Sequence, residues 1–342
     1  MKTTNVFLIS VGSIVGFIIV SLLLIYFFLY RPMVVNENFF SPSKVDFTPT
    51  YPMDSDIRRH VDFLTGLQPA RNVDQLESLE KAADYITLQL KTLGYEIQEQ
   101  KYLYNNKIYK NLIVKVNSTN SENANQLIVI GAHYDVCGDQ PGADDNASGV
   151  AGLLELARLI KNNPKFSSAY NIQLVFYTLE EPPTFTTEFM GSFIHAKSLS
   201  EQKFEVKLML SLEMIGYYSD LPNSQTFPLS FLEYDYPTVG NFVALVSDMG
   251  NRALVRDVKE AMRNSTQIPV YSINAPKAVV GIDFSDHRSY WHFGYKNAMM
   301  LTDTSFYRND HYHKPTDTAD TLDYKRLGQV VAGVYGVLSL IK

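Results

Sequence analysis

A single cysteine in 342 residues excludes an internal disulfide framework and fits no cysteine-rich zinc module. Lysines and arginines form no cluster and the formal net charge is −6, which argues against a nucleic-acid partner. Internal repeats and low-complexity tracts are absent, so the chain is neither a solenoid nor an array. No Gly-x-Ser-x-Gly elbow surrounds Ser148, which reads as a helix cap or first-turn residue. Cys137 has no partner pattern for thiol catalysis and reads as a plain loop residue. What is present is 46% hydrophobic and 19% charged, enough for one large α/β domain or two small ones with a sizeable core.

Val6 to Tyr30 carries no charge and is rich in Ile, Leu, Val and Phe. At about 1.5 Å per residue it is long enough to cross a hydrocarbon layer of roughly 30 Å. A cleaved signal peptide has a shorter apolar region ending in small residues, whereas this run ends in Tyr26-Phe27-Phe28-Leu29-Tyr30-Arg31-Pro32. The expectation is a transmembrane signal anchor over residues 1–31, catalytic domain on the extracytoplasmic side. Lys2 and Arg31 flank the run and encode that orientation weakly. Pro32, Pro42, Pro49 and Pro52 mark residues 32–53 as an extended linker.

From residue 54 onward, strand-like and helix-like runs alternate. Helices are expected at 54–65, 74–93, 148–160, 187–199, 252–263, 286–291 and 323–340. Strands are expected at 96–104, 108–116, 127–130, 172–177, 206–212, 242–246, 270–273 and 298–302, the first two joined as a hairpin at Asn105-Asn106. That order predicts a three-layer α/β/α domain over 54–342, with a mixed, mainly parallel central sheet.

In such a fold, ligands gather beyond the carboxyl ends of the strands. His133 and Asp135 follow the strand ending at Ile130; Glu180-Glu181 follow Tyr177; Glu213 follows Leu212; Asp303 and the His311-Tyr312-His313 loop follow Thr302. Each has a plain structural reading alone: a hydrogen-bonded His, a solvated Glu pair, an Asp144-Asp145 turn capping the next helix. Four strand ends carrying acids or imidazoles to one edge are hard to explain by structural need, and a cation would relieve their mutual repulsion. Asn117, Asn146 and Asn264 head formal glycosylation sequons, Asn146 close to this cluster.

GAHYD, PGADDNASG, TLEE followed by MGS, SLEMIGY and YHKPTDTADTLDY occur in that order. On these motifs the chain from Asp54 to its end resembles the zinc aminopeptidases of the bacterial leucyl-aminopeptidase type, whose superfamily includes glutamate carboxypeptidases and glutaminyl cyclases. The resemblance implies two zinc ions: one bound by His133 and Glu213, one by Glu181 and His313, with Asp144 bridging them. It implies Glu180 as general base acting on a metal-activated water, Asp135 orienting His133, and a cis peptide at Asp144-Asp145. It implies peptide substrates, trimmed from the amino end. Cyclisation of N-terminal glutamine, carboxypeptidase or dipeptidase action, and a non-catalytic ectodomain are the alternatives within the superfamily. Ser285-Asp286-His287 resembles a segment near the substrate pocket, with His287 and His311 either pocket residues or polar loop residues, and Tyr307-Arg308 a further candidate for substrate contact.

Overall fold

The computed structural model describes residues 2–26, 30–31, 53–118 and 125–340. The expected linker over 32–53 lies almost wholly outside them. Helix α1 (Lys2–Ile25) occupies the apolar run, and its described side chains begin at Ile14. Among the described residues, no helix is long and apolar enough to cross a membrane.

The body of the chain is one eight-stranded sheet with helices on both faces. The strands are β1 (Ile97–Tyr104), β2 (Lys107–Val116), β3 (Gln126–His133), β4 (Asn171–Tyr177), β5 (Glu205–Leu212), β6 (Val243–Ser247), β7 (Val270–Asn274) and β8 (Ala298–Thr302). Their spatial order is β1-β2-β4-β3-β5-β8-β6-β7. β4, β3, β5 and β8 are consecutive and parallel, and this places their carboxyl ends side by side. The β1–β2 hairpin is antiparallel as expected and pairs antiparallel with β4. The direction of β6 differs from the reading of the sequence: it runs antiparallel to β8, so β6 and β7 end at the opposite edge.

Period-two alternation sorts the strand side chains between two cores. Ile128, Ile130, Leu174, Phe176, Leu208 and Leu210 face the larger core. It is closed by α2 (Met53–Thr65), α3 (Leu76–Thr92), α4 (Gly149–Asn162), α6 (Arg252–Arg263) and α8 (Tyr324–Leu340), through Ile57, Ile86, Leu153, Val255 and Val331 among others. Leu127, Val129, Val175, Tyr177 and Met209 face the smaller core, with Ala196 and Leu199 of α5 (Gly191–Glu201) and Tyr290 and Trp291 of α7 (His287–His292). α5 begins at Gly191, not near Thr187 as expected, because residues 182–190 form turns stitched by Thr184 and Thr187 hydroxyls.

The smaller core contains a buried polar chain. Tyr177 Oη meets Tyr290 Oη at 2.8 Å, Tyr290 Oη meets His195 Nδ1 at 2.6 Å, and His195 Nε2 meets Gln173 Oε1 at 2.8 Å. Since Gln173 Oε1 can only accept, His195 Nε2 carries the proton and Nδ1 accepts from Tyr290. Burial, reinforced by Lys115, pushes His195 down to about 3. The folded value lies below the ordinary one, so this stability is complete above about pH 6.5 and is lost as pH falls toward 3. Urea unfolding of the wild type and His195→Gln is expected to show a gap that narrows by on the order of 3 kcal/mol between pH 7 and 4. A pH-independent gap would show that His195 does not titrate with folding.

Candidate metal centre

The centre is built on the ends of β4, β3, β5 and β8. His133 is the last residue of β3, and Asp135 lies two residues on. Asp135 accepts the backbone N–H groups of Glu180 (3.2 Å) and Glu181 (3.0 Å), and its Oδ1 lies 3.5 Å from His133 Nδ1. One carboxylate thus locks the loop after β4 to the loop after β3. Glu213 follows β5 directly, and its Oε2 accepts the Ser285 hydroxyl at 2.7 Å. Ser285 in turn is paired with Ser211. His313 comes from the loop after β8.

Between the two imidazoles stands Asp145. Its Oδ1 lies 3.3 Å from His133 Nε2 and its Oδ2 lies 3.1 Å from His313 Nε2. His133 Nε2 is also 3.5 Å from Glu213 Oε2 and 3.8 Å from Glu180 Oε2, and His313 Nε2 is 3.3 Å from Glu181 Oε2. The sequence reading placed Asp144 in this position, and the structure corrects it by one residue. The Asp144 carboxylate points the other way, accepting Gly216 N–H at 3.0 Å and Asn309 Nδ2–H at 2.8 Å. The cis peptide is likewise at Asp145-Asn146, not Asp144-Asp145. Only one of the two adjacent aspartates faces the imidazoles. The chain chooses between them by tying both backbone N–H groups to Asp317, at 2.9 and 3.1 Å.

Long-range braces complete the loop. Arg71 is buried and donates to the carbonyls of Tyr134, Leu64, Pro141 and Gly142. Gly142 sits at φ +60°, where a Cβ would lie 2.3 Å from the Asp145 carbonyl, so only glycine makes this turn. Asn146 is wholly buried, donating to the Leu212 carbonyl and accepting Gly149 and Met214 N–H, so its sequon is closed to glycosylation. The Ser148 hydroxyl donates to the Asp144 carbonyl at 2.7 Å in the first turn before α4. Arg71 and Asp317 are not legible as braces in the sequence because their partners are distant in the chain, PTDT within a quoted motif being the one signal for Asp317; Ser285 is singled out there as part of a segment near the substrate pocket but not as the partner of Glu213.

His287 and His311 fall outside the cluster. His287 is buried, contacts the Ile282 carbonyl through Nε2 and packs edge-on against Trp291; burial pushes it down to about 4. His311 pairs with Thr316. Arg308 is a brace, reaching Gln225 Oε1 and the Phe242 carbonyl, whereas Tyr307 lines the neighbouring cavity.

The electrostatics describe a site short of positive charge. Burial first, then Glu181 and Glu213, holds Glu180 well above the usual carboxylate range despite His133. Burial and then Asp145 push Glu181 up to about 8. Burial opposes charge on His313, yet Asp145 and Glu181 raise it to about 10. His133 is also raised, by Glu213 and Glu180, against its burial. Burial opposes charge on Asp145, yet the two imidazoles it faces hold it low. His133 Nδ1 and Nε2, His313 Nε2 and Glu181 Oε1 are nonetheless buried without a well-aligned partner among the described residues. Imidazole nitrogens and carboxylate oxygens converging without mutual hydrogen bonds are the donor set a divalent ion requires. His133, Asp145 and Glu213 form one such group, and Glu181 and His313 belong to another.

Beside Glu213 a cavity opens over one face of the outer strands. Phe227, Phe242, Tyr271, Phe284 and Tyr312 wall it, and it is overwhelmingly apolar. It exists because β6 is reversed: Phe242, which precedes the strand, then lies at the site's edge of the sheet. Tyr312 stacks on His313 with ring centroids 3.8 Å apart. Burial and the surrounding acids push its hydroxyl up, so it remains a donor.

The model of peptidase family M28 matches residues 111–338, well over half of the chain. The protein YfbL of Escherichia coli K12, described as uncharacterized, is 41% identical over 332 residues, covering 94% of this chain and 98% of that one. The probable aminopeptidase YDR415C of Saccharomyces cerevisiae is 25% identical over 245 residues, 69% of this chain but only 58% of the yeast protein. The structure of the Legionella pneumophila LapA aminopeptidase superposes with a TM-score of 0.65 at 19% identity, over 87% of this chain and 79% of that one, a likeness of fold. The chain belongs to peptidase family M28 and is a metallopeptidase.

Proposed function

We propose that this metallopeptidase is an aminopeptidase that holds two zinc ions, one at His133, Asp145 and Glu213 and one at Asp145, Glu181 and His313, and removes apolar N-terminal residues from peptides. The observation that carries it is the Asp145 carboxylate, presented to two imidazoles at once, with a glutamate carboxylate near the same Nε2 of each. When bound, zinc supplies Lewis acidity to the scissile carbonyl and acidity to water.

The chain's own residues do the rest. Asp135 fixes the backbone of Glu180 and Glu181, so the base is positioned by the same group that backs His133. Glu180 takes a proton from the attacking water and delivers it to the leaving amine. Tyr312 supplies a hydrogen-bond donor where the cavity meets the site. The apolar cavity beside Glu213 accepts the side chain of the residue to be released.

The purified full chain is expected to hydrolyse aminoacyl-nitroanilides with large apolar side chains, to lose that activity to a chelator and to regain it with zinc. Cyclisation of N-terminal glutamine alone, or release of a C-terminal acidic residue, would contradict this reading.

We further propose that the chain is a single-pass membrane protein with its catalytic domain on the extracytoplasmic side. Supporting this are the charge-free run from Val6 to Tyr30 and the apolar residues exposed on α1, Phe17 at 74% and Leu22 at 59% among them. Carbonate extraction tests it: the chain should stay with the membrane fraction, and its release would remove the anchor.

A further inference from the structure

Cys137 lies in the loop after β3, between Asp135 and the turn that carries Asp145. Its sulfur, a carboxylate oxygen of Glu181 and an imidazole nitrogen of His313 all lie within 4.8 Å of one another. Glu181 is 4% exposed with Oε1 unpartnered, and His313 Nε2 is unpartnered as well. The plain loop role expected from the sequence accounts for none of this, since a surface turn gives a thiol no reason to face a carboxylate and an imidazole together. Cys137 is also the chain's only cysteine, so no intramolecular disulfide competes for the sulfur. The group formed by His133, Asp145 and Glu213 has no sulfur within the same reach.

We propose that Cys137 is a sulfur donor to the metal ion held by Glu181 and His313. The inference rests on the two-metal reading above and adds a chemical difference between its halves. One position offers nitrogen and oxygen alone; the other adds a thiolate. On binding, the S–H bond is replaced by a sulfur–metal bond and the proton passes to solvent, with no change of oxidation state. A thiolate selects zinc, cobalt or cadmium over magnesium or manganese. The Cys137 position is therefore thiophilic, and the bound ion shields the thiol from alkylation.

The test is cobalt loading of the full-length protein. In the wild type, a sulfur-to-cobalt charge-transfer band in the near ultraviolet is expected to grow as Co²⁺ fills the Glu181–His313 position. Cys137→Ser should keep the visible d–d bands and lose that band. Chelator competition should show the weaker zinc of Cys137→Ser bound roughly tenfold or more less tightly, the other unchanged. Iodoacetamide should modify Cys137 in the metal-free protein and not in the loaded one. Two bound cobalt ions without a charge-transfer band, or a band that survives in Cys137→Ser, would overturn the proposal. A wild type that binds no cobalt or zinc would overturn the metal centre itself, which is a separate failure.

Discussion

Replacing Glu180 with glutamine is expected to lower kcat by about 10²–10⁴-fold while leaving the metal content unchanged. The substitution is nearly isosteric, and the Glu180 backbone N–H that Asp135 accepts is untouched. Metal content is expected to hold because the chain offers His133, Asp145, Glu181, Glu213 and His313 without it. What the amide cannot do is take a proton from water and pass it on. Elemental analysis and steady-state kinetics on the same sample separate the two effects. A variant that lost metal along with turnover would make Glu180 a ligand; one that kept turnover would move the base elsewhere.

The second large effect distinguishes two neighbouring residues. Asp145→Asn is expected to release metal and abolish activity, because it removes the one charge that both imidazoles face at 3.3 and 3.1 Å. Asp144→Asn is expected to retain metal. Its carboxylate serves Gly216 and Asn309, and an amide oxygen can still accept one of those hydrogen bonds. Its cost belongs in stability, about 1–3 kcal/mol for a buried hydrogen-bond group left unsatisfied. Metal titration of the two variants side by side decides the matter. The reverse pattern would restore Asp144 as the bridging residue.

That pair also marks where the sequence stops being informative. Strands, helices and the edge where chemistry gathers were legible because they follow from local periodicity and from the alternation of elements, and β4, β3, β5 and β8 do carry their acids and imidazoles to one edge. Two adjacent aspartates have the same composition, spacing and neighbours, so nothing local says which one turns inward. The choice is made by Asp317, Gly216 and Asn309, all far along the chain. The direction of β6 was hidden for a similar reason. A short apolar run reads the same either way round, and only its pairing with β8 sets it antiparallel and opens the aromatic cavity. Cys137 was legible as a residue and not as a neighbour of Glu181 and His313, because that proximity exists only after the loops after β3, β4 and β8 have met.

Anomalous scattering from crystals of the zinc-loaded full chain tests the central claim most directly. Two zinc peaks on either side of the Asp145 carboxylate are expected, one beside His133 and Glu213 and the other beside Glu181 and His313, with Cys137 next to the second. A single peak, or peaks centred on Asp144, would contradict the account.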